Sequence, residues 1–239
     1  MTARGFDPVL HKRVLTALLL EIYKTPGPAE KLVFKGGTCA SFFYGLPRLS
    51  LDLDFDLQTP LEAPESSRLR GALERHAAVR EVKDKANTLF FLLNYARGAP
   101  PIKIEAGKRV WRNNSDRPAW MLGVEMRIAD ERTLATNKLV ALADRKNPVA
   151  RDLFDARFFL KMGYPLNEAL VRERTGKSLS DYLADLAAFV PRVFTAKAVL
   201  HGLGDVLDEK QKAGVKGRLV KDFLDEIAAR RKSLAAERS

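Results

Sequence analysis

LVFKGGTCASFFYGLPRLSLDLDFDL, residues 32–57, is the stretch on which the reading of this chain turns. Leu51, Leu53, Phe55 and Leu57 alternate with Asp52, Asp54 and Asp56, the period of a β-strand, and predict one over 51–57. Side chains of a strand alternate between two faces, so the three carboxylates share one. Like charges on one face repel and bury badly. Either that face lies open to water or a cation neutralises it. Two carboxylates one residue apart have the reach to hold two hard cations about 3.5–4 Å apart, the arrangement of two-metal phosphoryl transfer.

Upstream, Leu32 to Phe34 predicts a short strand running into Gly36-Gly37-Thr38, and 38–44 a brief helix closed by Gly45-Leu46-Pro47. Glycines at a strand-to-helix turn let backbone N–H groups approach a phosphate, and a helix N-terminus favours its charge. Thr38 offers a hydroxyl contact. Glycine pairs mostly serve turns. Strand, Gly-Gly-Thr, helix, loop and acidic strand in that order nevertheless tip the balance from a solvated acidic face toward a metal and phosphate site.

Working outward, 7–24 predicts a helix: Asp7 is its N-cap, Pro8 suits the first position, and Val14, Leu18 and Ile22 repeat at helical spacing. Thr25-Pro26-Gly27-Pro28 stops it. Residues 65–82 read as an amphipathic helix with Leu69, Leu73, Ala77 and Val82 inward. Further strands are predicted over 88–95, 102–106 and 121–128. From 130 onward strand signals vanish, and helices are broken at Asn147-Pro148, Gly163-Tyr164-Pro165 and Gly202/Gly204. The expected organisation is an α+β half over 1–129 and a helical half over 130–239.

Composition bounds the function. The chain has 239 residues, 46% hydrophobic and 30% charged, which suits a soluble globular protein able to bury a core. No apolar run approaches a membrane span, and MTARGFDPVLHKR carries no signal-peptide core, so the expected location is the cytoplasm, away from membranes. Cys39 is the single cysteine, which excludes an internal disulfide and a Cys-rich zinc site. The net charge of +11, from 41 Lys and Arg against 30 Asp and Glu, points to a polyanionic partner, nucleic acid above all, or to a merely solvated basic surface. His11, His76 and His201 have no partner at metal or triad spacing, and no P-loop, dinucleotide or kinase motif is present.

Residues 32–57 resemble the AbiEii/AbiGii toxin group of nucleotidyltransferases, within the polymerase-β-like superfamily. The superfamily pattern is Gly-Gly or Gly-Ser, an interval of about ten or more residues, then Asp-x-Asp or Asp-x-Glu. Here Gly36-Gly37 leads to Asp52-Leu53-Asp54, with Arg48-x-Ser50 just before them as in the toxin group. Thr38 stands where the wider superfamily has Ser and keeps the hydroxyl. The resemblance is strong over the acidic strand and loose over most of the chain. It implies a polymerase-β-like core with a mixed sheet, followed by a C-terminal helical bundle.

The resemblance also implies a site. Asp52 and Asp54 would hold Mg2+, with a third carboxylate on a neighbouring strand. Glu105, in Pro101-Ile102-Lys103-Ile104-Glu105-Ala106, matches the family's lysine–hydrophobic–acid pattern; the alternative is a surface strand on which Lys103 and Glu105 neutralise each other. Gly36, Gly37 and Thr38 would contact the nucleotide. Lys138, followed by Arg151-Asp152 and Asp155, looks like the group's later motifs. Lys138 and Asp152 are carried over as nucleotide-site residues, with Asp155 as a further partner of the lysine. The alternative is a structural salt bridge between two helices.

Arg109, Arg112, Arg145 and Lys146 are the expected RNA contacts, and Trp111 and Trp120 are either stacking platforms or core. The activity implied is transfer of a nucleoside monophosphate from an NTP to an RNA acceptor, a tRNA 3′ end first of all. In that setting the chain is a toxin restrained by a separately encoded antitoxin. The rival readings are a small-molecule nucleotidyltransferase of the antibiotic-modifying kind and a non-catalytic RNA-binding protein.

Overall fold

The computed structural model describes residues 6–195, 203, 207, 212, 214, 215 and 217–236. His201, Gly202 and Gly204 lie outside them. The chain divides into two compact units, Met1–Val110 with Asp116–Asp130, and Trp111–Ser115 with Glu131–Ser239.

The first unit opens with α1 (Pro8–Tyr23), capped by Asp7, whose carboxylate accepts the N–H groups of Val9 and Leu10 at 2.8 and 3.1 Å. Its buried stripe is His11, Leu15, Leu18, Leu19 and Ile22, one position away from the expected Val14 register at its start. After α2 (Pro28–Lys31) come β1 (Leu32–Lys35), α3 (Gly36–Phe43) and β2 (Leu53–Leu57). Then follow α4 (Ala63–Glu74), β3 (Ala78–Lys85), β4 (Thr88–Asn94), β5 (Ile102–Gly107), β6 (Asp116–Met121) and β7 (Val124–Ala129). The seven strands form one mixed sheet in the order β3-β4-β5-β2-β1-β7-β6. β2 lies between β1, antiparallel, and β5, parallel, so the acidic segment sits mid-sheet. Its apolar side chains, Leu53 and Phe55, are wholly buried.

Two expected elements differ. Residues 78–85 are a strand, where a helix was expected to run on to 82. The helical stripe carries only to Ala77, whose N–H closes on Leu73. Beyond it Val82 is 41% exposed, so the periodicity there marks no core face. What makes 78–85 a strand is its ladder with β4, interrupted between Val79 and Glu81, and sequence periodicity does not register such pairing. The strand expected over 121–128 is instead a hairpin, β6 and β7, turning at Leu122 and Gly123 with φ of 48° and 79°. β6 contains Pro118. β6 is an edge strand, and an edge tolerates a residue without an N–H.

The second unit is helical: α5 (Glu131–Asp144), α6 (Ala150–Lys161), α7 (Glu168–Thr175), α8 (Leu179–Val193) and α9 (Leu219–Ala236). α5 and α6 pack as a hairpin broken at Asn147-Pro148, and α6 and α8 both pack on α9. Trp111–Ser115 joins this unit although it lies between β5 and β6 in sequence. Glu173 on α7 accepts the N–H groups of Arg112 and Asn113 at 2.8 and 2.9 Å, and Ser115 N–H donates to Thr133 Oγ1 at 2.9 Å. No helix among the described residues is long and apolar enough to cross a membrane.

Tyr23 fastens α1 to the sheet. Its hydroxyl lies 2.6 Å from the Arg127 carbonyl of β7 and accepts the Phe34 N–H of β1 at 3.0 Å. Burial drives the phenol pKa far above its ordinary value, so the proton stays. Tyr23→Phe should lower stability by about 1–3 kcal/mol, because it strands a buried N–H. Urea titration measures this, and an unchanged midpoint would show that the bridge contributes nothing.

Candidate active site

Across the middle of the sheet, Lys35 on β1, Asp54 on β2 and Glu105 on β5 are register partners in one row. Directly paired residues of neighbouring strands project to the same face, so Asp54 and Glu105 stand side by side. Glu105 is exposed and Asp54 half-buried. The next acid along β2, Asp56, is buried and ion-paired to Lys35 at 2.5 Å. Lys35 therefore neutralises Asp56 within the row of aspartates that predicted a shared acidic face.

The glycines matter for a reason other than the one expected. A Cβ on Gly36 would lie 2.1 Å from Asp54 Oδ2, and Gly36 has φ +80°, so both space and backbone require glycine. A Cβ on Gly37 would lie 2.7 Å from Arg48 Nη2 and 2.9 Å from Ser50 Oγ. Asp54 occupies the room left at Gly36, and Arg48 and Ser50 that left at Gly37. Thr38 differs as well: its hydroxyl is buried and donates to the Asp52 carbonyl at 2.5 Å, where a nucleotide contact was expected.

Asp52 precedes the ladder of β2, and its Oδ1 accepts the Lys103 N–H of β5 at 3.1 Å. Beside it lies a group the sequence reading passed over. His11 is completely buried, with Nε2 3.1 Å from the Leu51 carbonyl and Nδ1 2.8 Å from the Tyr95 hydroxyl. Burial depresses its pKa below the usual histidine value, against the opposing pull of the Leu51 carbonyl and the Asp52 charge. The signal available in the sequence was its place one turn before Leu15 on the buried stripe of α1.

Among the described residues no three His, Cys, Asp or Glu side chains are gathered tightly enough to hold a metal ion as they stand. Asp54 and Glu105 supply hard carboxylate oxygens from adjacent strands, the donor type a divalent cation such as Mg2+ prefers. Asp52, whose Oδ1 accepts the Lys103 N–H, carries oxygens of the same type. The donor chemistry fits such an ion.

In the helical unit, Lys138 on α5 is 13% exposed and meets Asp155 Oδ2 on α6 at 2.7 Å, and Asp155 is wholly buried. Asp152, expected to hold that lysine, instead lies with Oδ2 2.6 Å from Arg145 Nε, although no N–H of the arginine is aimed to bond it. The separation alone makes this an ion pair and not a directed hydrogen bond. Asp152 is also buried, and burial outweighs the nearby Lys138 and Arg145 charges to push its pKa up.

The expected RNA contacts are dispersed. Arg109 is exposed beyond β5 in the sheet unit. Arg112 is exposed in the helical unit and lines a cleft of about 560 Å³ with Arg172 and Glu173. Arg145 is engaged by Asp152, and Lys146 is exposed on the α5–α6 turn. Trp111 lies under Arg174, 5.3 Å from the guanidinium, whereas Trp120 is 66% exposed on β6.

The mixed sheet carrying a paired Asp and Glu, with the helical unit beside it in sequence, has the fold of nucleotidyltransferases. A Helicobacter pylori protein described as a candidate nucleotidyltransferase superposes with a TM-score of 0.63 at 24% identity, over 96% of both chains. JHP933 from Helicobacter pylori gives 0.58 at 23% identity, over 98% of this chain and 100% of its own. The family model described as Nucleotidyl transferase AbiEii toxin, Type IV TA system, matches residues 17–199. The chain belongs to that family of nucleotidyltransferase toxins. No curated protein matches it.

A raised carboxyl pKa means that the folded chain holds the Asp152 proton more tightly than the unfolded one. The associated stability is complete below the unfolded pKa and is lost as pH rises through the folded value. Asp152→Asn should therefore gain on the wild type as pH rises from about 3 to about 7. Melting temperatures across that range test it, and a difference that does not grow with pH would mean the ion pair with Arg145 outweighs burial.

Proposed function

We propose that this chain transfers a nucleoside monophosphate from an NTP to the 3′ hydroxyl of an RNA, a tRNA end foremost, and releases pyrophosphate. The observation that carries the reading is the register of Asp54 with Glu105, beside Gly36 and two residues from Asp52. Asp52, Asp54 and Glu105 would hold Mg2+. When bound, the ion would neutralise the triphosphate and make the acceptor hydroxyl more acidic.

In the step itself, the acceptor oxygen bonds to the α-phosphorus while the bond to the pyrophosphate oxygen breaks. Glu105, exposed on β5 beside Asp54, would help the hydroxyl lose its proton. Asp54, wedged against Gly36, has little room to swing, so its orientation is set before substrate arrives. Asp56 takes no part, because Lys35 neutralises it. Lys138, held by Asp155, is assigned to the triphosphate as a point charge. The excess of positive charge supports a polyanionic acceptor over a small molecule. The family name supports a partner antitoxin.

Asp54→Ala should abolish incorporation of labelled NTP into total RNA, with the melting temperature recorded to show that the variant is folded. Most of the activity surviving in that variant would sink the proposal. Gly36→Ala should cost activity as severely, because its Cβ displaces the same carboxylate. Label recovered on a small metabolite would keep the chemistry and refute the acceptor.

RNA affinity should fall with salt, log K declining by about 0.7–0.9 per phosphate contact. Charge reversal at Arg109 or Arg112 should flatten that slope without altering NTP affinity. Lys138→Ala should raise the KM for NTP. An unchanged KM with a lowered melting temperature would make Lys138–Asp155 a purely structural pair.

A further inference from the structure

His11 has no task in the transfer just described, yet its hydrogen bonds can be assigned a direction. The Leu51 carbonyl only accepts, so His11 Nε2 carries the hydrogen. With the Nε2 hydrogen committed to Leu51, the Tyr95 hydroxyl 2.8 Å from Nδ1 is assigned as the donor to it. The relay runs Tyr95 O–H to Nδ1, then Nε2–H to the Leu51 carbonyl. That carbonyl belongs to the peptide whose nitrogen is Asp52.

Asp52 needs such support because the ladder does not provide it. β2 begins at Leu53, and its pairing with β5 starts at Leu53 opposite Ile104. The Asp52 backbone is held instead from two sides. His11 grips the peptide before it, and the buried Thr38 hydroxyl grips its own carbonyl. Phe6 and Tyr95 stack edge-on against the imidazole at 5.4 and 5.3 Å and fix the ring plane.

We infer that His11, oriented by Tyr95, is a positioning residue that sets the backbone at Asp52 so that its carboxylate can meet a divalent cation. The inference rests on the assignment of Asp52 as a cation ligand. A merely structural histidine would anchor α1 and nothing more, and the two roles separate in metal affinity.

The probe is Mn2+, titrated by electron paramagnetic resonance into the full chain without nucleotide, with the melting temperature of each variant recorded. Asp52→Asn is the reference and should weaken binding. His11→Leu removes the donor to Leu51 and should weaken Mn2+ binding roughly tenfold or more, as loss of outer-sphere support typically does. His11→Gln places an amide N–H where Nε2–H was and should restore most of the affinity. Tyr95→Phe removes the hydrogen bond that orients the ring at Nδ1, and should fall between wild type and His11→Leu.

Wild-type Mn2+ affinity in folded His11→Leu, with only the melting temperature lowered, overturns the inference. If His11→Leu does not fold, Tyr95→Phe decides, and unchanged affinity there overturns it equally. A loss in Asp52→Asn without any loss in the histidine or tyrosine variants refutes the positioning role alone. No Mn2+ binding by the wild type, or binding indifferent to Asp52→Asn, removes the ligand assignment and this inference with it.

Discussion

Gly36 has no side chain because the carboxylate of Asp54 fills the place where one would be. That one contact constrains much of the sheet unit. It forces the chain leaving β1 into a positive-φ turn at the start of α3, and it presses α3 against β2. It also confines an acidic group that would otherwise sweep over the face of the sheet. Arg48 and Ser50 repeat the arrangement at Gly37, so β2 and the loop before it cover two successive positions at the helix start. The glycine pair, the loop and the acidic strand are therefore one unit of packing.

The acidic groups sort by burial. Asp56, Asp155 and Asp152 are buried and face Lys35, Lys138 and Arg145 respectively. A buried carboxylate without such a partner would carry a desolvation cost of several kcal/mol. Asp54 and Glu105, by contrast, stay at least partly open to solvent. Burial thus distinguishes carboxylates that the sequence does not. The sequence shows them all as Asp or Glu.

The legible part of the fold was whatever local periodicity decides: the capped α1, the alternation of β2, the helical run after 130. That Glu105 stands on a strand beside the acidic one was anticipated only through the family resemblance, and the register of Asp54 with Glu105 came from the pairing itself. Pairing and burial account for the rest. β3 is charged and solvent-facing, so its amphipathic trace looked helical, and only β4 makes it a strand. The partners of Asp152 and Asp155 depend on which way each helix is rotated in the bundle, and an i,i+3 spacing leaves that open. His11 lay on a face read one position off, and its partners are 40 and 84 residues away.

The excursion of Trp111–Ser115 bears on how the chain is made. The sheet unit has all its strands once Ala129 has been synthesised. The short segment inside it, however, is tied by Glu173 and Asn167, which are translated later. During synthesis the amides of Arg112 and Asn113 wait in water for a carboxylate still to come. A ribosome stalled anywhere between residues 130 and 172 therefore holds a chain whose first half is nearly complete and carries an unmade clasp. Cutting the gene at 130 would leave that clasp permanently open in the first half and remove its counterpart from the second.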